Sequence, residues 1–278
     1  MSSALLPPFP EPGFSFENVE RNVSLVKKGF KPPKFTSTGT TVAAAIFDGG
    51  IIIGTDKRAS AGTIVANKNT NKIHKISNNI AFGGAGTAAD CDQMEKMVRA
   101  HVELHRLNSG KQVPVCVALT KITQHLFRYQ GHIQCALIVG GVDKFGYHLH
   151  HVYPHGSSSE VLFEAMGSGS LAAISHLELN YKQNMNLDEA KLLIRNAILA
   201  GVENDLASGN GIDLCIITPS GMEHLVDYEI PVACTPLSKQ GIYKFPLGTT
   251  PILDSRITYE VEETIVRELD PDRFMETS

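Results

Sequence analysis

Tryptophan is absent from this chain, and aromatic residues make up only 7% of it. That leaves no stacking platform for nucleic-acid bases. A basic field is missing too: 25 Lys and Arg stand against 29 Asp and Glu, a formal net charge of −4. Nothing therefore steers the chain toward a polyanion, and no nucleic-acid partner is expected. No apolar run approaches the roughly 18 residues that a membrane-spanning helix requires, so no membrane partner is expected either. Met1 to Pro8 have neither the basic start nor the long apolar centre of a secretory signal. The five cysteines (Cys91, Cys116, Cys135, Cys215 and Cys234) are odd in number and form no CxxC pair. They read as buried free thiols in a reducing compartment, not as a disulfide frame or a zinc site. His148, His150 and His151 cluster, with His155 following. Strand alternation over Tyr147–Tyr153 places His148 and His150 on one face and His151 on the other, and no metal site is expected.

What is present is a soluble, core-forming composition. The chain has 278 residues, 42% hydrophobic and 19% charged, enough for one large domain or two small ones. Residues 1–39 carry Pro7, Pro8, Pro10, Pro12, Pro32 and Pro33, a composition that resists helix and central strand. From Thr41 the pattern turns to β. Thr41–Phe47 and Ile51–Asp56 read as a hairpin across Asp48-Gly49-Gly50, and Ala61-Gly62 opens a loop. A second hairpin spans Lys72–Ile76 and Ile80–Gly84. Thr87 and Asp90 have the spacing of a capping box for a helix running to about Leu107, with Met94, Met97, Val98, His101, Val102 and His105 at helical spacing. Another helix is expected over Pro114–Gln130, its stripe formed by Val115, Leu119, Ile122, Leu126 and Phe127. Strands return at Cys135–Val142, Tyr147–Tyr153 and Leu162–Met166. Helices follow at about Leu171–Tyr181 and Leu187–Asp205, the latter starting at Asn186 and Asp188. A last hairpin joins Ile212–Ile217 to Met222–Tyr228. The order predicts an α+β, four-layer αββα sandwich: two mainly antiparallel sheets between helix layers.

The chain is organised around Gly39-Thr40. A cut at that junction exposes a threonine whose Oγ is a nucleophile and whose freed α-amino group is a base. That amine titrates at about 7.7–8.0, near working pH, where a lysine at about 10.4 stays protonated. Taken alone, a Gly-Thr pair before a strand is also simply a strand start. Asp56 and Lys72 taken alone are an ordinary salt bridge.

The motifs Gly39-Thr40-Thr41, Gly54-Thr55-Asp56-Lys57-Arg58, Lys72-Ile73-His74, Gly84-Ala85-Gly86-Thr87-Ala88-Ala89-Asp90, Phe127-Arg128-Tyr129-Gln130-Gly131, Tyr153-Pro154-His155-Gly156-Ser157, Gly167-Ser168-Gly169-Ser170 and Ser208-Gly209-Asn210-Gly211-Ile212-Asp213-Leu214 occur in register. Over Thr40 to Tyr228 the chain resembles the β-type subunits of the 20S proteasome, within the N-terminal-nucleophile (Ntn) hydrolases, and among them the trypsin-like class. The resemblance implies a propeptide, residues 1–39, removed by autolysis at Gly39–Thr40. It implies a catalytic domain over 40–229 and an extended arm over 230–278 that contacts a neighbouring subunit. Thr40 would be the nucleophile, with Asp56 and Lys72 beside it and Gly86 supplying the oxyanion N–H. Ser168, Asp205 and Ser208 would hold the threonine amine.

The resemblance further implies an extended substrate paired with Ser60, Gly86 and Ala88. Its specificity pocket would lie near Ala59, Thr70, His74, Gly84 and Asp92. Asp92 points to cleavage after basic residues, although a first-turn acid also complements a helix dipole. Two positions depart from the pattern. Ala61 stands where trypsin-like members carry a polar or acidic residue, and Lys57 stands where the motif has a small neutral one. Strand alternation turns Lys57 away from Asp56. The implied activity is a zymogen-derived threonine endopeptidase in ubiquitin-dependent protein degradation, needing no cofactor and no metal. Implied partners are other β-subunits, the α-ring, assembly chaperones and polypeptide substrates, in cytoplasm and nucleus. A non-processed structural ring subunit and another Ntn amidase are the alternatives.

Overall fold

A computed structural model of the chain describes residues 17–30, 38–231, 256 and 258. The chain divides into two units, Met1–Val232 and Ala233–Ser278. The architecture below is that of the first. Most of the expected arm lies outside the described residues, as do Cys234 and leader residues 1–16 and 31–37.

The expected leader segment does contain a helix, α1 (Glu17–Lys27). The expectation that this segment resists helix was set by its prolines, but none falls between Pro12 and Pro32. Lys27 at its end complements the helix dipole. Gly29, at φ +87°, follows its end.

One five-stranded sheet has the order β10 (Phe163–Gly167), β1 (Thr41–Phe47), β2 (Gly50–Asp56), β11 (Ile212–Thr218), β12 (Gly221–Glu229). The other has the order β5 (Ile73–Lys75), β6 (Ile80–Gly86), β7 (Cys135–Asp143), β8 (Gly146–Val152), β9 (Ser158–Glu160). Every pairing in both is antiparallel. Three apolar layers hold the sandwich. α4 (Ser170–Asn180) and α5 (Leu187–Asn204) cover the first sheet through Leu177, Ile194 and Ile198 against Ala43, Ala45, Ile52 and Leu214. α2 (Ala88–Ser109) and α3 (Val115–Arg128) cover the second through Val98, Ile122 and Leu126 against Phe82, Leu137 and Val139. Between the sheets lie Val42, Ala44, Ile51 and Ile53 against Ala81, Ile138 and Leu149. β1 thus buries both faces, and its alanines let α5 approach on one side. Each fully buried large aliphatic side chain contributes about 1.5–3 kcal/mol. Among the described residues, no helix is long and apolar enough to cross a membrane.

Several local expectations need correction. Ala61-Gly62 does not open a plain loop: a small hairpin forms, β3 (Ala59–Ala61), largely buried, with β4 (Ile64–Asn67), exposed. Thr87 is the N-cap of α2, but no capping box forms. The Asp90 carboxylate instead accepts from Gln134 N at 2.9 Å. His101 and His105 of α2 and Phe127 of α3 face solvent, so the apolar stripes are narrower than their spacing suggests. Cys116 is exposed, unlike Cys91, Cys135 and Cys215, which are buried free thiols. β9 carries no apolar alternation to announce it.

The layers bring four chain segments to one end of the sandwich. Thr40 precedes β1, Asp56 ends β2, Lys72 precedes β5 and Gly86 ends β6.

Candidate active site

Thr40 is 2% exposed. Its Oγ1 donates to the Gly39 carbonyl at 2.6 Å. The same carbonyl oxygen accepts from Lys72 Nζ at 3.1 Å. Lys72 Nζ in turn donates to Asp56 Oδ1 at 2.6 Å. Thr41 N donates to that oxygen at 2.9 Å, while Arg58 N and Gly209 N reach Oδ2 at 3.1 and 3.0 Å. Asp56 is therefore fully enclosed by donors. Burial pushes its carboxyl above the ordinary value, against the Lys72 charge and these hydrogen bonds. Burial likewise pulls Lys72 below the ordinary lysine value, with Asp56 opposing. Burial thus weakens the preference of both groups for their charged forms, beside the Gly39 carbonyl.

A second network holds the Thr40 nitrogen. Thr40 N donates to Ser168 Oγ at 3.0 Å. The hydroxyls of Ser168 and Ser208 each donate to Asp205 Oδ2 at 2.6 Å. Thr41 Oγ1 meets Ser208 Oγ at 2.8 Å. Burial alone would raise Asp205, but Ser168, Ser208, the Ala207 N–H and the Lys72 charge outweigh it and hold the carboxyl below its ordinary value. The structure thus gathers Gly39, Thr40, Asp56, Lys72, Ser168 and Ser208, drawn from five separate motifs, together with Asp205, around one peptide bond.

Glycine is needed at Gly39 and at Gly86 beside it. A Cβ at Gly39 would lie 2.0 Å from the Ala207 Cβ. Gly86 has φ +116°, and a Cβ there would lie 2.4 Å from Gln134 O. Gly86 also pairs with the leader: its carbonyl accepts from both Thr38 N and Thr38 Oγ1 at 3.0 Å. Gly39 N donates to Ser60 Oγ at 3.0 Å. Thr38 is thus bridged to Gly86 in antiparallel fashion and Gly39 is tied to the Ser60 side chain.

Beside Thr40 opens a cavity of about 120 Å³ whose wall includes Ala59, Thr70, His74, Gly84, Ala88 and Asp92. Ser60 lines a larger cavity, about 500 Å³, on the other side of Gly39. Gly84 sits against Cys91, where a Cβ would fall 3.0 Å from the sulfur. Thr70 Oγ1 is buried and has no hydrogen-bond partner among the described residues, which suits it to meet a ligand. The acidic end differs from expectation in one respect. Asp92 is 59% exposed and stands 4.0 Å from His74 Nδ1, whereas Glu95 bonds that nitrogen at 2.8 Å. Glu95 was not singled out from the sequence, although it lies three residues after Asp92 on the same helix and so shares its face. Thr38, Thr41 and Gln134 were missed as well; each acts through backbone or neighbour contacts that no motif records. Lys57 does face away from Thr40, buried and paired with Asp213 at 3.7 Å and with Asp227. Ala61 is exposed and does not line the smaller cavity.

A sandwich of two antiparallel sheets between helix layers, with a threonine at the start of a central strand facing a lysine and an aspartate, defines the Ntn-hydrolase class. The proteasome subunit family model matches residues 36–217, more than half of the chain. The chain is 44% identical over 269 residues to "Proteasome subunit beta type-7-A" of Arabidopsis thaliana, covering 97% of this chain and 98% of that one. It is 42% identical over 266 residues to "Proteasome subunit beta type-10" of Bos taurus, covering 94% and 97%. With "Proteasome subunit beta type-2" of Saccharomyces cerevisiae it shares 43% identity over 246 residues, covering 88% and 94%. The chain belongs to the proteasome subunit family, among its β-type members. The family is one of threonine peptidases that work within a multi-subunit core particle.

Proposed function

We propose that this chain is a catalytic β-subunit of the 20S core, a threonine endopeptidase that frees its own nucleophile. The observation that carries this reading is the Gly39 carbonyl, held between Thr40 Oγ1 and Lys72 Nζ. Thr40 Oγ attacks the Gly39 carbonyl carbon. A C–O bond forms, the C–N bond breaks, and the proton from Oγ passes to the departing nitrogen. Water then hydrolyses the ester, leaving Gly39 with a carboxylate and Thr40 with a free amine. Lys72 supports the negative oxygen that develops on the way.

In the cut chain the same Oγ attacks a substrate carbonyl, and the α-amino group accepts its proton. Ser168, Asp205 and Ser208 orient that amine. Gly86 N–H steadies the oxyanion, a contribution of about 10²–10³ in rate for donors of this kind. The leader's Thr38 and Gly39 occupy the course that the acyl half of a polypeptide substrate would take between Ser60 and Gly86. The cavity with Asp92 at its mouth and Glu95 behind His74 suits a basic side chain, which supports cleavage after Lys or Arg. The exposed Ala61 does not enter that choice.

Residues 1–39 are then the propeptide, 40–229 the catalytic domain and 230–278 an arm on a neighbouring subunit. The α-ring, other β-subunits and an assembly chaperone are its partners, and cytoplasm and nucleus its location. Fluorogenic peptides with basic, acidic or apolar residues before the cut test the reading in assembled particles. Basic peptides should be turned over fastest, and Thr40→Ala in this chain should abolish that turnover. Unchanged turnover in that variant would assign the activity elsewhere.

A further inference from the structure

The side chains of His148, His150 and Glu160 converge on the helix-covered side of the second sheet, away from Thr40. Their donor atoms all lie within 4.8 Å of one another. His148 and His150 stand two residues apart on β8, their rings nearly parallel at 6.4 Å between centroids. Glu160 is the cross-strand neighbour of His150 on β9. We propose that these three residues form a binding site for a divalent transition ion, with zinc as the favoured occupant. This goes beyond the proteolytic reading and departs from the sequence expectation of no metal.

Three features carry the proposal. The donor set is two imidazoles and a carboxylate, the set that leaves one position of a tetrahedral zinc open to water. The spacing suits it: His148 Nδ1 and Glu160 Oε1 are 3.5 Å apart. Two ligands each about 2.1 Å from a tetrahedral ion stand roughly 3.4 Å apart. Finally, the other nitrogen of His148 is already held. Its Nε2 lies 3.2 Å from Asp143 Oδ1. Asp143 is itself fixed by Phe145 N at 2.8 Å on Oδ1 and by Val115 N at 2.9 Å on Oδ2. With Nε2–H donated to Asp143, the lone pair of His148 sits on Nδ1, the atom facing Glu160. A carboxylate behind a metal-binding histidine fixes the tautomer and strengthens the ligand. His151 points to the other face, where Nδ1 meets Glu164 at 2.8 Å, and takes no part.

The site joins the exposed edge strand β9 to β8. Three registered residue pairs join β9 to β8, flanked by hydrogen bonds from Tyr153 N to Ser157 O and from Val161 N to Leu149 O, each 2.9 Å. An ion bound there pins that edge.

The test uses the full-length chain, stripped with a chelator and then titrated with Zn²⁺, with Co²⁺ as a spectroscopic probe. The expected result is one equivalent bound, with the visible absorption of a tetrahedral Co²⁺ centre and a rise in melting temperature. His150→Ala and Glu160→Gln should remove both. Glu160 is exposed, so Glu160→Gln should leave the fold intact. Asp143→Asn should weaken binding by about 10–100-fold while keeping the stoichiometry. His151→Ala should change nothing. Equal binding by the wild type and Glu160→Gln, or no equivalent retained, would overturn the proposal.

Discussion

Asp56 uses both carboxylate oxygens, one on Lys72 and Thr41, the other on Arg58 and Gly209. Asp56→Ala leaves a buried ammonium without its counter-charge, which costs about 3–5 kcal/mol. Denaturant unfolding should show that loss, and the Gly39–Thr40 bond should remain uncut. Asp205 supplies a pH signature. Its folded-state value lies below the ordinary 3.8, so its contribution to stability is fully present above 3.8 and is lost as pH falls through the lowered value. The stability difference between the wild type and Asp205→Asn should therefore shrink on acidification below 3.8 in paired unfolding curves. Thr40, Asp56 and Lys72 were legible because they sit in short motifs. Glu95 was not, because its role comes from His74 turning toward it across two elements. Thr41 was not, because its hydroxyl works through Ser208, 167 residues away.

Capping decides how well the helices were read. Asn186 and Glu189 form a reciprocal box at the start of α5, where Glu189 N donates to Asn186 Oδ1 at 2.9 Å and Asn186 N to Glu189 Oε2 at 3.0 Å. Asn186→Ala should cost about 1 kcal/mol, measured as a shift in the thermal or denaturant midpoint. The matching spacing at Thr87 and Asp90 misled because Gln134 competes for Asp90 and wins. Strands buried on one or both faces, such as β1, β2 and β7, announce themselves through apolar runs. β4 and β9 are exposed along their length, so no pattern marks them. Their pairing partners, not their composition, make them strands. α1 was hidden by prolines that flank it without entering it.

Across the first unit, the inter-sheet layer holds the two halves of the site in register. Thr40 leads into a strand of one sheet, while Lys72 and Gly86 adjoin strands of the other. Ile138 is fully buried in that layer. Ile138→Ala should destabilise the fold by about 2–5 kcal/mol in denaturant titrations. The αββα order was readable because hairpin followed hairpin, with helices in pairs between them. The fate of the leader bears most directly on the whole account. Intact-mass spectrometry of this subunit, recovered from an active assembled particle, should give an N-terminus at Thr40 in the wild type. In Thr40→Ala the chain should remain joined through Gly39. A subunit that cleaves peptides with residue 39 still covalently attached to Thr40 would contradict the mechanism.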